Sequence, residues 1–219
     1  MGRIAITGAN RGIGLELARQ LSARGDEVIA LVRRPSDALQ DLGVEIIEGL
    51  DMSADDLSAA SDALGDRTLD VLLNNAGVLQ RTSLDDLDLE AVRWQFEVNA
   101  LGPLKITSAL ASHLVEGSKV AHVTSRMGSV ADNSSGSHYG YRMSKAALNM
   151  ASKSMSVDLA GRGISVCVLH PGYVRTDMTG HNGLIDTHES AAGLIARIDE
   201  LSLETSGGFW HQNGDRLPW

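Results

Sequence analysis

Cysteine is nearly missing from this chain. Cys167 is the single one in 219 residues, which excludes an intramolecular disulfide, and its place inside the apolar run 164–169 reads as an inert core thiol rather than a nucleophile. The seven histidines show no metal-ligand spacing, so no metal is expected. Positive charge is also scarce: 19 Lys and Arg stand against 28 Asp and Glu, a formal charge of −9. That balance argues against nucleic acid and anionic membrane as partners, and it makes each local basic residue informative. No apolar run approaches ~18 residues, and the N-terminus enters a strand without the charged and apolar regions of a leader. A soluble, cytoplasmic protein is the expectation. Aromatic residues make up only 4%, yet Phe209, Trp210 and Trp219 crowd the C-terminus, and Trp94 and Phe96 share a helical stretch. Such sparse large side chains either finish the core or anchor a twofold contact, so a homodimer is a possible assembly.

What is present is a regular alternation. With 43% hydrophobic residues the chain can bury a full core as one domain, residues 1–219. Short continuous apolar runs predict strands at 4–7, 28–32, 44–47, 71–73, 120–124, 164–169 and near 208–210. Three-to-four spacing predicts helices at 12–22, 54–64, 89–115, 139–160 and 189–201. Repeated strand-helix-strand units with short connections imply an α/β fold, a doubly wound parallel sheet of Rossmann type with about seven strands and helices on both faces. Ligands then collect at the carboxyl ends of the strands. Two irregular stretches interrupt the pattern. One, 128–138, joins a strand to a helix; the other, 179–188, reads as either a solvated connector or a substrate lid.

Gly8, Gly12 and Gly14, with Asn10, Arg11 and Ile13 between them, lie where the first strand passes into the first helix. Glycines there let the chain turn tightly and bring backbone amides to a diphosphate at the helix N-terminus. At the end of the second strand stand Val32, Arg33 and Arg34, with no acid to accept from a ribose 2′-hydroxyl. A guanidinium instead pairs with a 2′-phosphate, so NADP(H) is favoured over NAD(H). Arg11 is a second candidate for that phosphate. Asp51 is placed either to accept from the adenine amino group or to cap the following helix. Asn74-Asn75-Ala76-Gly77 ends the fourth strand, and Asn75, Ala76 and Gly77 would let the backbone approach the nicotinamide ribose. Pro171-Gly172 ends the sixth, where the Val174 amide and Thr176 hydroxyl would hold the carboxamide.

Tyr141 and Lys145 are four apart, so both side chains leave one face of a helix. An ammonium beside a phenol favours phenolate and lowers its pKa from ~10, which suits Tyr141 to general acid and base work. Tyr139 has Met143 at the same offset and lacks that charge partner. Ser125 ends the fifth strand with a hydroxyl that can donate to a carbonyl oxygen; Thr124 and Ser129 are its rivals. Asn99 interrupts an otherwise good helix and either bonds its own backbone or bends the helix and holds a water leading to Lys145.

In this order the motifs resemble the short-chain dehydrogenase/reductase family, over nearly the whole chain. They run from the glycine turn at 7–14 through Asn74-Asn75-Ala76-Gly77, Asn99, Ser125, Tyr141 and Lys145 to Pro171-Gly172 and Thr176. The resemblance implies that Ser125 polarises the substrate, Tyr141 exchanges the proton, Lys145 binds the nicotinamide ribose and lowers the tyrosine pKa, and Asn99 supports a proton relay. Segments 124–129, 141–150 and 217–219 resemble the C-factor and Sniffer-like carbonyl reductase branch. The sixteen-residue interval from Ser125 to Tyr141 is longer than is usual in the family, and the extra length falls at Asn133-Ser134-Ser135-Gly136. The expected activity is NADP(H)-dependent hydride transfer on a small carbonyl or alcohol. An NADPH-binding redox sensor or signalling protein with vestigial catalysis is the alternative. Tyr173, Met178, His181, Leu184, Arg126 and Tyr139 are expected to line the pocket.

Overall fold

The computed structural model describes residues 2–219. Seven parallel strands form one sheet in the order β3-β2-β1-β4-β5-β6-β7. They are β1 (Arg3–Thr7), β2 (Glu27–Leu31), β3 (Glu45–Ile47), β4 (Leu69–Asn74), β5 (Leu114–Val123), β6 (Ser165–His170) and β7 (Gly208–His211). Strand order reverses between β1 and β4, so the crevice for a ligand opens above their carboxyl ends. The parallel strands are apolar on both faces because helices cover both. Ile4, Ile6, Val71, Leu73, Ala121 and Leu169 pack under α1 (Gly12–Arg24), α2 (Asp37–Gln40) and α7 (Thr187–Glu200). Ala5, Ile29, Leu72, Val120 and Val166 face α3 (Ala59–Leu64), α5 (Gly102–Ala109) and α6 (Tyr139–Asp158).

Two sequence expectations are corrected. The helix expected at 54–64 begins only at Ala59, because Asp51 and Asp56 each turn the chain by accepting the backbone N–H and the hydroxyl of Ser53 and Ser58. The helix expected at 89–115 is α4 (Leu89–Phe96), a π-helical turn (Glu97–Leu101) and α5, and Leu114 already belongs to β5. The Asn99-Ala100-Leu101-Gly102-Pro103 stretch lies at the break, and pairing with β4 takes the apolar end of the run. Helix α2 was not expected; Ser36 caps it by accepting the Leu39 N–H. At the C-terminus Phe209 is buried and its ring lies 5.5 Å from that of Trp219, so Phe209 completes the core. Among the described residues no helix is long and apolar enough to cross a membrane.

Candidate active site

The glycine turn is built by close approach. A Cβ on Gly14 would stand 2.2 Å from the Gly8 carbonyl oxygen, so only glycine fits there. Gly12 has φ +54°, and a Cβ there would reach only Thr176, at 3.6 Å. The groove between the turn and Thr176 is thus space that a side chain would fill. At the N-terminus of α1 the N-cap residue is Arg11, in extended conformation, and no side chain caps the helix. Its first amides and positive dipole end suit a diphosphate. The residues present fit a dinucleotide by this measure.

β4 closes the turn from the other side. Thr7 Oγ1 accepts from the N–H groups of Asn75 (3.0 Å) and Ala76 (3.1 Å), while Asn75 Nδ2 donates to the carbonyls of Thr7 and Gly8. The Asn75 side-chain NH2 therefore braces the turn, and its backbone N–H is committed to Thr7 as well. The sequence places Thr7 only at the start of the glycine turn and does not reveal its bracing role; the signal for that role is a hydroxyl at the end of a strand beside a glycine. Ser36 Oγ donates to the Asn10 carbonyl at 2.7 Å. Farther along the crevice, Arg33 and Arg34 are exposed, and Arg33 pairs with Asp51 at 3.3 Å. Hydrogen bonds from Ser53, followed by Arg33, hold the Asp51 carboxyl below its ordinary pKa. Arg11 instead reaches the exposed Asp177 at 3.8 Å.

Ser125, Tyr141 and Lys145 come together near the carboxyl end of β5. Ser125 Oγ accepts the Met127 N–H at 3.1 Å, which leaves its own proton free to donate toward the Tyr141 phenol or a substrate oxygen. Its rivals are engaged: Thr124 Oγ1 donates to Asn149 Oδ1 at 2.7 Å and Ser129 Oγ to the Trp219 carbonyl at 2.9 Å. Lys145 is buried, and its Nζ donates to the Val123 carbonyl at 2.9 Å and stands 5.9 Å from the Tyr141 ring centroid. Here the structure differs from the sequence expectation. Burial pushes the Tyr141 phenol up to about 12, opposed by the Ser125 hydroxyl, and pushes Lys145 down to about 8. Desolvation dominates at both groups, and the ammonium donates its hydrogen bond to a backbone carbonyl.

Asn99 sits fully buried in the π-helical turn. Its Oδ1 accepts the Val78 N–H (2.8 Å), and its Nδ2 donates to the Val78 carbonyl (2.9 Å) and Ser144 Oγ (3.0 Å). Ser144, in turn, donates to the Tyr141 carbonyl at 2.9 Å. Asn99 therefore clamps the segment after β4 to the helix of Tyr141, and Ser144 is a second residue that the sequence did not reveal. A Cβ on Gly77 would stand 3.3 Å from Asn99 Oδ1 and 3.5 Å from Lys145 Nζ, so both polar groups border the same small space. Beneath Lys145, His122 is held neutral: burial, then the lysine charge, pushes it down to about 3.

The stretch after β6 is more ordered than its composition implied. Gly172 turns with φ +88°, and the Pro171 carbonyl accepts from Ser190 Oγ. Val174 forms a parallel bridge with Ile185, and the Thr176 N–H donates to Thr179 Oγ1 at 3.1 Å. Thr187 and His188, expected in the irregular stretch, belong to α7. His181 lies 3.1 Å from Asp177.

Residues 3–184 match the family model for short chain dehydrogenase. The chain belongs to the short-chain dehydrogenase family. It is similar over its whole length, at 41% identity and with the relative fully covered, to 1-hydroxy-2-glutathionyl-2-methyl-3-butene dehydrogenase of Rhodococcus sp. (strain AD45). C-signal of Myxococcus xanthus is 49% identical over 69% of this chain and 93% of its own length. Carbonyl reductase Sniffer of D. melanogaster superposes with a TM-score of 0.92 at 31% identity, each chain fully covered. This member of the family is an oxidoreductase of the carbonyl reductase branch that uses a nicotinamide cofactor.

Proposed function

We propose that the protein interconverts a small carbonyl compound and its alcohol with NADP(H), and that Tyr141 is the proton donor in reduction and the acceptor in oxidation. The observation that carries this reading is the convergence of Ser125, Tyr141 and Lys145 at the β5 edge, next to Gly77 and the uncapped glycine turn. Arg33 and Arg34, unaccompanied by an acid at the end of β2, support the phosphorylated dinucleotide. Gly8, Gly12, Ile13 and Gly14 would hold its diphosphate, Arg11 and Arg33 its 2′-phosphate, and the stretch from Pro171 through Val174 to Thr176 its carboxamide.

A reduced nicotinamide held by those residues would supply the hydride that the carbonyl carbon takes up. Ser125 donates a hydrogen bond to the carbonyl oxygen and stabilises the negative charge that grows there. Tyr141 then gives that oxygen its phenolic proton, and an alcohol results. Loss of that proton is opposed by burial, and the Lys145 ammonium and the Ser125 hydroxyl favour it. Lys145, near its titration point at neutral pH, returns a proton through the space it shares with Asn99 and Gly77. In oxidation the same groups run in reverse.

Tyr141→Phe is the decisive test. Turnover of a carbonyl panel with NADPH should fall about 10³-fold while NADPH binding persists. Activity within tenfold of wild type would remove Tyr141 from the chemistry, and a wild type that turns over nothing on the panel while binding NADPH would favour a sensing role.

A further inference from the structure

Arg142 follows Tyr141 by one residue, and its guanidinium lies against the loop that leads back to Ser125. Nε donates to the carbonyls of Gly136 (3.0 Å) and Ser137 (3.1 Å), one Nη to the Met127 carbonyl (3.4 Å) and the other to Ser135 Oγ (2.8 Å). The acceptors lie near both ends of this long loop, so one planar fork spans it. A lysine ammonium, a point charge on a flexible stem, cannot reproduce that geometry.

The loop needs such a strap. Ser137 and His138 are consecutive non-glycine residues with left-handed backbone, φ 57° and 54°, a conformation that persists only where surroundings enforce it. Residues 130–137 are exposed, so core packing does not enforce it. Besides Arg142, Thr82 holds the far end: its carbonyl accepts the His138 N–H at 2.8 Å and its Oγ1 the Gly140 N–H at 3.2 Å. The near end is tied to the chain terminus, where the Trp219 carbonyl accepts from Ser129 Oγ and the Ala131 N–H. These ties run to Thr82, Arg142 and Trp219, away from the residues that bind the glycine turn to β4.

We infer that Arg142 is a positioning residue that holds residues 129–138 as the substrate-side wall of the cleft, and so sets how well a carbonyl compound is bound without touching the reacting atoms. The inference rests on the reductase reading above. It predicts a split between substrate and cofactor: in Arg142→Ala and Arg142→Lys, KM for 4-nitrobenzaldehyde and 9,10-phenanthrenequinone rises about fivefold to tenfold, with kcat within about twofold of wild type. NADPH affinity, measured by nicotinamide fluorescence, stays the same, and hydrogen exchange by mass spectrometry accelerates over 129–138. Unchanged exchange would show that Arg142 does not hold the loop, and faster exchange with unchanged KM would show that the loop is not the wall; either overturns the inference. A wild type that reduces neither compound counts against the reductase reading, and the exchange comparison still decides whether the strap exists.

Discussion

The glycine turn after β1 and the loop after β5 both leave the carboxyl edge of the sheet, but they are held in different ways. The turn is fixed by close packing against the sheet: Gly8 N–H bonds the Leu31 carbonyl at 3.0 Å, Gly14 sits where no Cβ fits, and Thr7 Oγ1 and Asn75 Nδ2 brace its backbone from within. The loop is fixed largely by side chains, Arg142 and the Arg126–Asp132 pair at 2.8 Å at its exposed surface and the buried Ser129 at its near end. A dinucleotide has one shape to be met, and backbone geometry meets it with little tolerance. Ties made by polar side chains can be altered one group at a time, which on the reading proposed above suits a substrate-side wall.

Gly14→Ala breaks the comparison most severely. Its Cβ would meet the Gly8 carbonyl oxygen at 2.2 Å and Asn75 Nδ2 at 2.4 Å, and the first of these is backbone with nowhere to go. A loss of about 3 kcal/mol of stability and of measurable NADPH binding is expected. Ser135→Ala on the loop removes one exposed hydrogen bond and should cost under about 0.5 kcal/mol. Denaturant melts and NADPH titration check both; similar losses would mean that the halves are equally rigid.

The pH dependence sharpens the same contrast at the chemical residues. Lys145 is pushed down to about 8 and Tyr141 up to about 12. As pH rises through 8 the ammonium loses its proton while the phenol keeps its own, so kcat/KM for reduction should fall about tenfold per unit above that point. His122 and His170, both held near 3 by burial first of all, stay neutral and add no limb between about pH 5 and 8. A profile flat to about pH 9.5 would take Lys145 out of the proton path.

The strands were legible because buried parallel strands are continuous apolar runs; 4–7 and 28–32 need no tertiary information to be seen. Helix limits were less legible. Ile106, Leu110 and Leu114 continue one helical spacing, yet Leu114 pairs with Leu69 of β4 instead, a choice made by the sheet. At the candidate site, residue types and order were readable from the chain: a phenol and an ammonium four residues apart on α6, and a hydroxyl just past the end of β5. Their engagements were not. That the Asn75 amide braces the glycine turn, that Arg11 meets Asp177 and that Ser144 links Asn99 to the Tyr141 helix all depend on partners distant in sequence. The direction of the Tyr141 pKa depends on burial, which spacing does not report.

The smallest expected effect lies at the adenosine end, where side chains again decide. Arg33 is 72% exposed and its partner Asp51 38%, so water screens their attraction and the pair itself adds little stability. Arg33→Ala should raise KM for NADPH about fivefold to tenfold and leave NADH nearly unchanged, because only the 2′-phosphate presents a dianion to the guanidinium. Asp51→Asn works in the opposite direction. It removes the negative charge that competes with that phosphate for Arg33, and the amide oxygen can still accept from Ser53, so the turn survives and NADPH should bind about twofold tighter. Parallel NADPH and NADH kinetics on the two variants decide it: equal changes for both cofactors would mean that Arg33 serves the turn beside Asp51, and opposite changes confined to NADPH would place a phosphate between the arginine and its carboxylate rival.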